Sequence, residues 1–282
     1  MLEPTVSPRP SVVALAASLV FLAACQREEA APAPPPAPAP AVSAPPVVAI
    51  GPAPVLDRTG LLQAMDVAAS AYAAGKDPGG ATLAGRRFVI RQAFGCAGPA
   101  PAGRSTAGAT GGDGLAAWSW GDKGKSLKLT LAPADWTGSP MVAGGADSWE
   151  AAEGFWLPRP WLRTDGCPGV PSDPAADGAT AVSPQTFGLA AVFEEDGSRL
   201  GRRNGRAYEF TVRAEGDQAP VAPTNGYRLV LEGRMTAFAD GRAIRCRAAG
   251  PDQRPVCIGA VQLDRVAFED AQGQGLSEWR PG

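Results

Sequence analysis

The sequence predicts a mainly β protein, an antiparallel β-sandwich or barrel preceded by one α-helix. Short segments beyond residue 85 alternate apolar and polar residues with a period of two. Glycine-containing turn sequences separate these segments. Helical spacing of apolar residues is clear in one place, just before the first strand. Eight or nine short strands after a single helix are typical of an antiparallel sandwich or barrel.

The helix is predicted close to residue 60. Asp57 or Thr59 can cap its start, because a short polar side chain there accepts a hydrogen bond from a backbone N–H of the first turn. Gly75 is the residue at which we expect it to end. The apolar residues near helical spacing are Leu61, Leu62, Met65, Ala68, Ala69 and Tyr72.

Two strands are predicted most clearly, at 125–131 and 207–213. In the first, leucines alternate with Lys128 and Thr130, and in the second, aromatic and aliphatic residues alternate with charged or hydroxyl residues. Asn204-Gly205 indicates a hairpin turn just before the second strand. Weaker strands are predicted at 87–94, 115–120, 187–195, 227–238, 243–247 and 256–268.

The amino-terminal segment is too short to cross a bilayer. Residues 12–24 form an apolar run interrupted by Ser18 alone, whereas a spanning helix needs about 20 apolar residues. Such a run at the start of a chain is typical of the apolar region of an export signal.

The end of that run, Leu22-Ala23-Ala24-Cys25, resembles the lipobox of bacterial lipoproteins. The resemblance implies cleavage before Cys25, a diacylglyceryl group on its thiol and an acyl chain such as palmitate on its amino group. Two or more chains anchor a protein stably in a membrane. Gln26 stands where aspartate would mark inner-membrane retention, so the resemblance implies the outer membrane.

Three segments are therefore expected: a signal peptide at 1–24, a lipidated cysteine with a linker at 25–56, and a globular domain at 57–282. The linker is rich in alanine and proline, a composition that favours an extended polyproline II spacer. Residues 168–184 have loop composition, so the domain could comprise two lobes, 57–167 and 185–282, or one sandwich with a long loop.

Histidine is absent from the sequence, and this restricts the chemistry most. It excludes Ser-His-Asp and Cys-His catalysis and histidine-ligated zinc or haem. The formal net charge of −2 argues against nucleic-acid binding, which needs a strongly basic face. No sequence motif indicates a cofactor.

Four cysteines follow Cys25: Cys96, Cys167, Cys246 and Cys257. An exported chain reaches an oxidising compartment, so the even number predicts two disulfides, with three pairings open. We favour Cys246 with Cys257, because the ten residues between them resemble a turn between adjacent strands. A redox or zinc site is not expected, since no CxxC spacing occurs.

Two groups of residues are candidates for binding. Aromatic side chains on an extended segment could form a platform for a sugar, peptide or lipid, and the alternative is that they fill the core. Those residues are Trp118, Trp120, Trp156 and Trp161. An arginine cluster could hold phosphates of an anionic envelope component, although a solvated hairpin has the same composition. Those residues are Arg199, Arg202, Arg203 and Arg206.

The enzymatic alternative rests on carboxylates, because a glycosidase needs two Asp or Glu side chains and no histidine. Asp147, Glu150 and Glu153 lie near the tryptophan-rich stretch. Our preferred interpretation is a non-enzymatic binding or structural module on the periplasmic side of the outer membrane, with an envelope protein, glycan or anionic lipid as partner. A glycan hydrolase and a carrier of small apolar ligands remain the alternatives.

Overall fold

A computed structural model provides the fold and describes part of the chain. The described residues are 53–100, 111–142, 149–168, 185–195, 197, 199, 201–213 and 218–280. Residues Gly51–Gly282 belong to one compact unit. Cys25, Asp147, the predicted signal peptide, most of the predicted linker and most of the possible 168–184 boundary lie outside the described residues.

The helix forms where its spacing predicts. It is α1 (Arg58–Ala73), and the Asp57 carboxylate caps its start by accepting a hydrogen bond from the Gly60 N–H at 2.7 Å. Gly75 has a φ of 68° just beyond its end, a conformation that glycine adopts at little cost. Residues including Leu61, Leu62 and Met65 are buried, and the helix contacts the strands Arg87–Phe94, Ile244–Arg247 and Val256–Glu269.

The described residues form eleven strands and two single-turn 3₁₀ helices, at Ala81–Leu83 and Asp122–Gly124. The strands are β1 (Arg87–Phe94), β2 (Ala116–Trp120), β3 (Ser126–Leu131), β4 (Ala134–Asp135), β5 (Trp149–Trp156), β6 (Phe187–Glu194), β7 (Tyr208–Arg213), β8 (Tyr227–Met235), β9 (Ile244–Arg247), β10 (Val256–Glu269) and β11 (Gly275–Trp279).

These strands form a sandwich-like arrangement of two sheets and not a closed barrel. The large sheet has the order β1-β8-β10-β6-β5-β4, with β9 and β11 also paired to β10, and the small sheet has the order β2-β3-β7. The pairs are antiparallel as predicted, except that β6 and β10 are parallel. Leu129 of β3 and Leu231 of β8 belong to one buried core that joins the two sheets.

Strand β5 is the main element that the sequence pattern does not predict. Its sequence, WEAAEGFW, lacks alternation because five of its eight residues are buried, from Ala151 to Phe155. Gly154 is required there: a Cβ atom would lie 2.2 Å from the ring of Trp136. A strand covered on both faces has no polar face to reveal its period. The shorter β4 and β11 were not predicted either.

The predicted hairpin around Asn204-Gly205 is wrong, although the turn itself is present. Both residues have positive φ, 50° and 75°, and the Arg206 N–H donates to the Arg203 carbonyl at 2.9 Å. However, β6 pairs with β5 and β10, whereas β7 pairs with β3. The segment between them, 195–207, is therefore a connection that passes from one sheet to the other.

The two disulfides are Cys96–Cys167 and Cys246–Cys257. The prediction of two bridges is thereby confirmed, and so is the favoured pairing. Cys246 and Cys257 are directly opposite each other on β9 and β10. The bridge between them thus joins adjacent strands.

A buried arginine attaches the Pro-Arg-Pro segment to the helix. Arg58 is 4% exposed, and its guanidinium donates to the carbonyls of Pro158 (2.8 Å), Arg159 (3.3 Å) and Leu162 (3.4 Å) and to Oε1 of Gln92 (3.4 Å). No carboxylate lies within ion-pair distance of it in the described parts of the chain. Neutral oxygens therefore replace water around a buried positive charge.

The linker enters the fold beside β1. Leu56 forms a parallel bridge to Phe88, with hydrogen bonds from Leu56 N–H to Arg87 O (2.9 Å) and from Val89 N–H to Leu56 O (2.8 Å). The backbone just before α1 thus covers part of the outer edge of β1, which would otherwise be open to pairing with another chain.

Candidate functional site

A cleft of about 640 Å³ opens where the pairing of β10 is interrupted. Strand β8 pairs with β10 from Val261 to Glu269 and so occupies one edge of that stretch. β6 and β11 pair with the two ends of the same stretch, so both lie along its other edge. On that side, β6 pairs only as far as Val261 and β11 begins at Val266. Residues 262–265 have no strand partner there among the described residues, and they line the cleft.

Five elements and the connection 195–207 surround this cleft. Its lining combines apolar and aromatic side chains with charged ones. The apolar and aromatic residues are Trp149, Ala191, Val192, Phe193, Tyr208, Val261, Leu263, Val266 and Trp279. The charged residues are Glu153, Glu194, Arg202, Arg203, Arg206, Asp264, Arg265 and Arg280.

Glu153 of β5 is the buried acid of the cleft, with 6% of its surface exposed. Its Oε1 accepts hydrogen bonds from the backbone N–H groups of Arg203 (2.8 Å) and Asn204 (2.9 Å), which the turn at Asn204-Gly205 directs toward it. Burial raises the pKa of this carboxyl, although the two N–H groups and the nearby arginines oppose the shift.

We expect Glu153→Gln to change how stability depends on pH. A carboxyl whose pKa is raised by folding stabilises the fold fully below its unfolded pKa of 4.5, and that contribution is lost as the pH rises through the folded value. Glutamine does not titrate and keeps an oxygen for the two N–H groups. The variant should therefore gain stability relative to the wild type as the pH rises above about 4.5.

Urea denaturation at a series of pH values measures this difference. The matched control is Glu195→Gln, which removes one negative charge at an exposed position after β6. The difference in free energy of unfolding between Glu153→Gln and the wild type should rise with pH. If it falls or stays flat above pH 4.5, the raised pKa of Glu153 is contradicted.

The predicted arginine cluster lies at the cleft, but half of it is already paired. Glu150 of β5 binds Arg199 (3.0 Å) and Arg202 (2.7 Å). Arg203 donates to the Ala207 carbonyl at 2.6 Å, and its guanidinium lies 4.8 Å from the centre of the Tyr208 ring. These contacts hold the connection 195–207 against both sheets.

Among the described residues, Arg203 and Arg206 form no ion pair with a carboxylate, although the charge of Arg203 acts on the nearby Glu153. On the opposite wall, Arg265 is paired with Glu232 (2.5 Å) and Glu278 (2.8 Å). Arg202 and Arg280, which also line the cleft, are paired with Glu150 and Glu278. Within the described lining, the arginines that can still pair with a ligand are therefore Arg203 and Arg206.

Two tryptophans of the cleft were not predicted as binding residues. Nε1 of Trp149 is buried without a hydrogen-bond partner among the described residues, which leaves a donor available to a ligand. Trp279 contacts the Tyr208 ring edge-to-face, with centroids 5.3 Å apart. Burial and the Glu153 charge raise the pKa of Tyr208, so its hydroxyl stays protonated. No sequence signal distinguished these residues, because β5 and β11 were not predicted as strands.

The predicted tryptophan residues do not line this cleft. Trp118 is 2% exposed, and its indole N–H donates to the Gly95 carbonyl at 3.3 Å, so it belongs to the core. Trp120 contacts its edge and is 43% exposed. Trp156 packs against Trp136, with centroids 4.8 Å apart, and Trp161 is 57% exposed. Within the described chain, Trp118 thus pairs with Trp120 and Trp156 pairs with Trp136, whereas Trp161 is in neither pair.

The candidate carboxylates have structural partners. Asp147 is outside the described residues, whereas Glu150 and Glu153 both lie on β5 and both contact the connection 195–207. Glu150 binds two arginines and so anchors the connection to β5. Glu153 also holds the turn, by accepting two backbone hydrogen bonds, and it lines the cleft.

The described residues contain no group of three or more His, Cys, Asp and Glu side chains that could hold a metal ion. Among the same residues, no helix combines the length and the apolar character needed to span a membrane.

Comparisons with family models, curated proteins and solved structures find no match to this chain. Function must therefore be argued from the residues and the geometry of the cleft.

Proposed function

We propose that the protein is an envelope lipoprotein anchored in the outer membrane. Its β domain is a non-enzymatic binding module that faces the periplasm. The observation that carries this proposal is the cleft between β6, β10 and β11. It combines apolar and aromatic side chains with charged ones and with a buried indole N–H, that of Trp149, which lacks a partner among the described residues, and this combination is typical of ligand sites.

The anchor follows from the sequence. Leu22-Ala23-Ala24-Cys25 supplies the lipidation signal, and the Pro/Ala linker supplies a spacer of about 3.1 Å per residue. A tethered domain gains from a binding site because the membrane raises the local concentration of any partner in the same envelope.

The contacts of the carboxylates favour binding over hydrolysis. A glycosidase needs one carboxyl that donates a proton and a second that acts as nucleophile or base. Glu150 is occupied by Arg199 and Arg202, and Glu153 accepts two backbone hydrogen bonds that fix the turn. An apolar carrier is also less well supported, because eight of the residues that line the cleft are charged.

In-cell photocrosslinking tests the site. A benzophenone amino acid in place of Gln262, an exposed residue of the cleft wall, should form adducts with an envelope component in the cells that produce the protein. Mass spectrometry of the adduct identifies its chemical class. The same sample gives the mass of the mature amino terminus, which should be a triacylated or diacylated Cys25.

The matched control places the same benzophenone at Arg213, which is exposed at the end of β7 and does not line the cleft. Equal adducts at both positions would contradict the assignment of the site. An unmodified Cys25 at the amino terminus, or a different start, would contradict the anchor.

A further inference from the structure

The cleft has two open strand edges that face each other. Strand β10 is paired with β8 along residues 262–265, so its other edge, toward the cleft, has no partner among the described residues. Strand β6 continues past Ala191 to Glu194 paired with β5, and its edge toward β10 is likewise open. Backbone N–H and C=O groups on such edges require hydrogen bonds and are ready to pair with an added strand.

We infer that this cleft binds a short extended polypeptide of acidic composition as an added strand between β6 and β10. The inference rests on the proposed function, since it names the ligand of the same site. Pairing of a peptide with an open sheet edge is a general mode of recognition in which backbone hydrogen bonds provide affinity and side-chain pockets provide specificity.

The length of the open edge limits the peptide. Residues 262–265 span about 13 Å at 3.3 Å per residue. The ladder between β8 and β10 is irregular between Leu263 and Arg265, and Val266 is already paired with Trp279 of β11. A segment of about four residues is therefore the longest that the open edge of β10 can pair with in register.

The charges of the cleft select the composition. Arg203 and Arg206 line the cleft and have no carboxylate within ion-pair distance among the described residues. Acidic side chains of a peptide would pair with these two guanidinium groups. The indole N–H of Trp149, which has no partner among the described residues, is a donor for a carbonyl of an extended peptide backbone.

A glycan or an anionic lipid fits these observations less well. Sugar hydroxyls could accept from the indole N–H of Trp149, but they lack the regular spacing of donors and acceptors that two strand edges present. A lipid head group would use the arginines and leave both edges unpaired. Of the three ligand classes, an extended peptide alone uses the arginines, the indole N–H and the strand edges together.

The test uses the full-length acylated protein in detergent micelles. A positional library of N-acetylated, C-amidated hexapeptides is screened for binding, and the best member is titrated by calorimetry. We expect enrichment of Asp and Glu. Methylation of a backbone nitrogen at a central position of that hexapeptide should weaken binding about tenfold or more, because it removes one ladder hydrogen bond and adds a clash.

Two variants locate the peptide on the protein. Arg206→Ala removes an exposed, uncompensated charge of the cleft and should weaken binding of the acidic hexapeptide about tenfold. Arg213→Ala, its control, removes an exposed arginine outside the cleft and should leave affinity unchanged. Circular dichroism establishes that both variants are folded.

Three results would overturn the inference. Peptides of all compositions could fail to bind, backbone methylation could have no effect, or Arg206→Ala and Arg213→Ala could behave alike. Soluble peptidoglycan oligosaccharides and vesicles containing anionic phospholipid are titrated in parallel. If one of them binds and Arg206→Ala weakens that binding, the peptide is wrong as the ligand, while the cleft remains the site of the proposed function.

Discussion

Replacing Arg58 by methionine should lower the free energy of unfolding by about 3 to 5 kcal/mol. The guanidinium donates to three carbonyls of the segment 158–162 and to Gln92. Methionine would leave the Pro158 and Leu162 carbonyls and Oε1 of Gln92 without this donor, whereas the Arg159 carbonyl would still accept from the Leu162 N–H at 2.9 Å. Each buried oxygen that loses its partner costs about 1 to 3 kcal/mol. Burial lowers the pKa of Arg58 to about 10, so the side chain is still charged at neutral pH.

Urea denaturation at neutral pH measures this loss. Arg87→Met is the control, because Arg87 is exposed on β1 and the change removes the same charge without a buried network. Lysine at position 58 should give an intermediate loss, since it keeps the charge but cannot reach several acceptors at once. Equal stability of Arg58→Met and Arg87→Met would show that the network does not hold the segment.

Removal of the Cys96–Cys167 bridge should cost about 4 kcal/mol. The bridge closes a loop with a sequence separation of 71 residues, and the loss of loop-closure entropy in the unfolded chain grows with loop length. The Cys246–Cys257 bridge, with a separation of 11, should contribute about 3 kcal/mol by the same relation. The variants are Cys96→Ala with Cys167→Ala, and Cys246→Ala with Cys257→Ala.

Denaturation of the two double variants under oxidising conditions ranks the bridges. Reduction of the wild type breaks both bridges, so it should lower the free energy of unfolding at least as much as removal of the Cys96–Cys167 bridge alone. Each double variant retains one bridge. A larger loss from the short loop than from the long one would contradict the chain-entropy explanation.

The parts of the fold that the sequence predicted are those with a polar face. α1 and strands such as β1, β3 and β7 place apolar residues at regular spacing because one side of each element is solvated or half-buried. The two disulfides were predicted from the oxidising compartment that we expect for an exported chain and from the spacing of the cysteines. The parallel pairing of β6 with β10 was not predicted, since strand order depends on contacts between residues that are distant in sequence.

The site was predicted only in part, for a related reason. Arg202, Arg203 and Arg206 were named from the sequence and do line the cleft. Glu153 was named as one of several loop carboxylates, although it lies on β5. Trp149 and Trp279 were missed because the strands that place them, β5 and β11, lack a clear period. A cleft produced by an interrupted ladder has no local sequence signature at all.

The way in which the linker joins the fold determines how the domain responds to mechanical load. A pull from an anchored amino terminus reaches the domain first at Pro54 and Leu56. There it acts on the bridge to β1 and on the hydrogen bond from Arg86 to the Pro54 carbonyl at 2.7 Å. β1 is an outer strand of the large sheet, whereas the cleft lies further in, between β6 and β10. Tension would thus open the outermost contacts before it reached the cleft, so the proposed ligand site would be shielded from strain in the predicted linker.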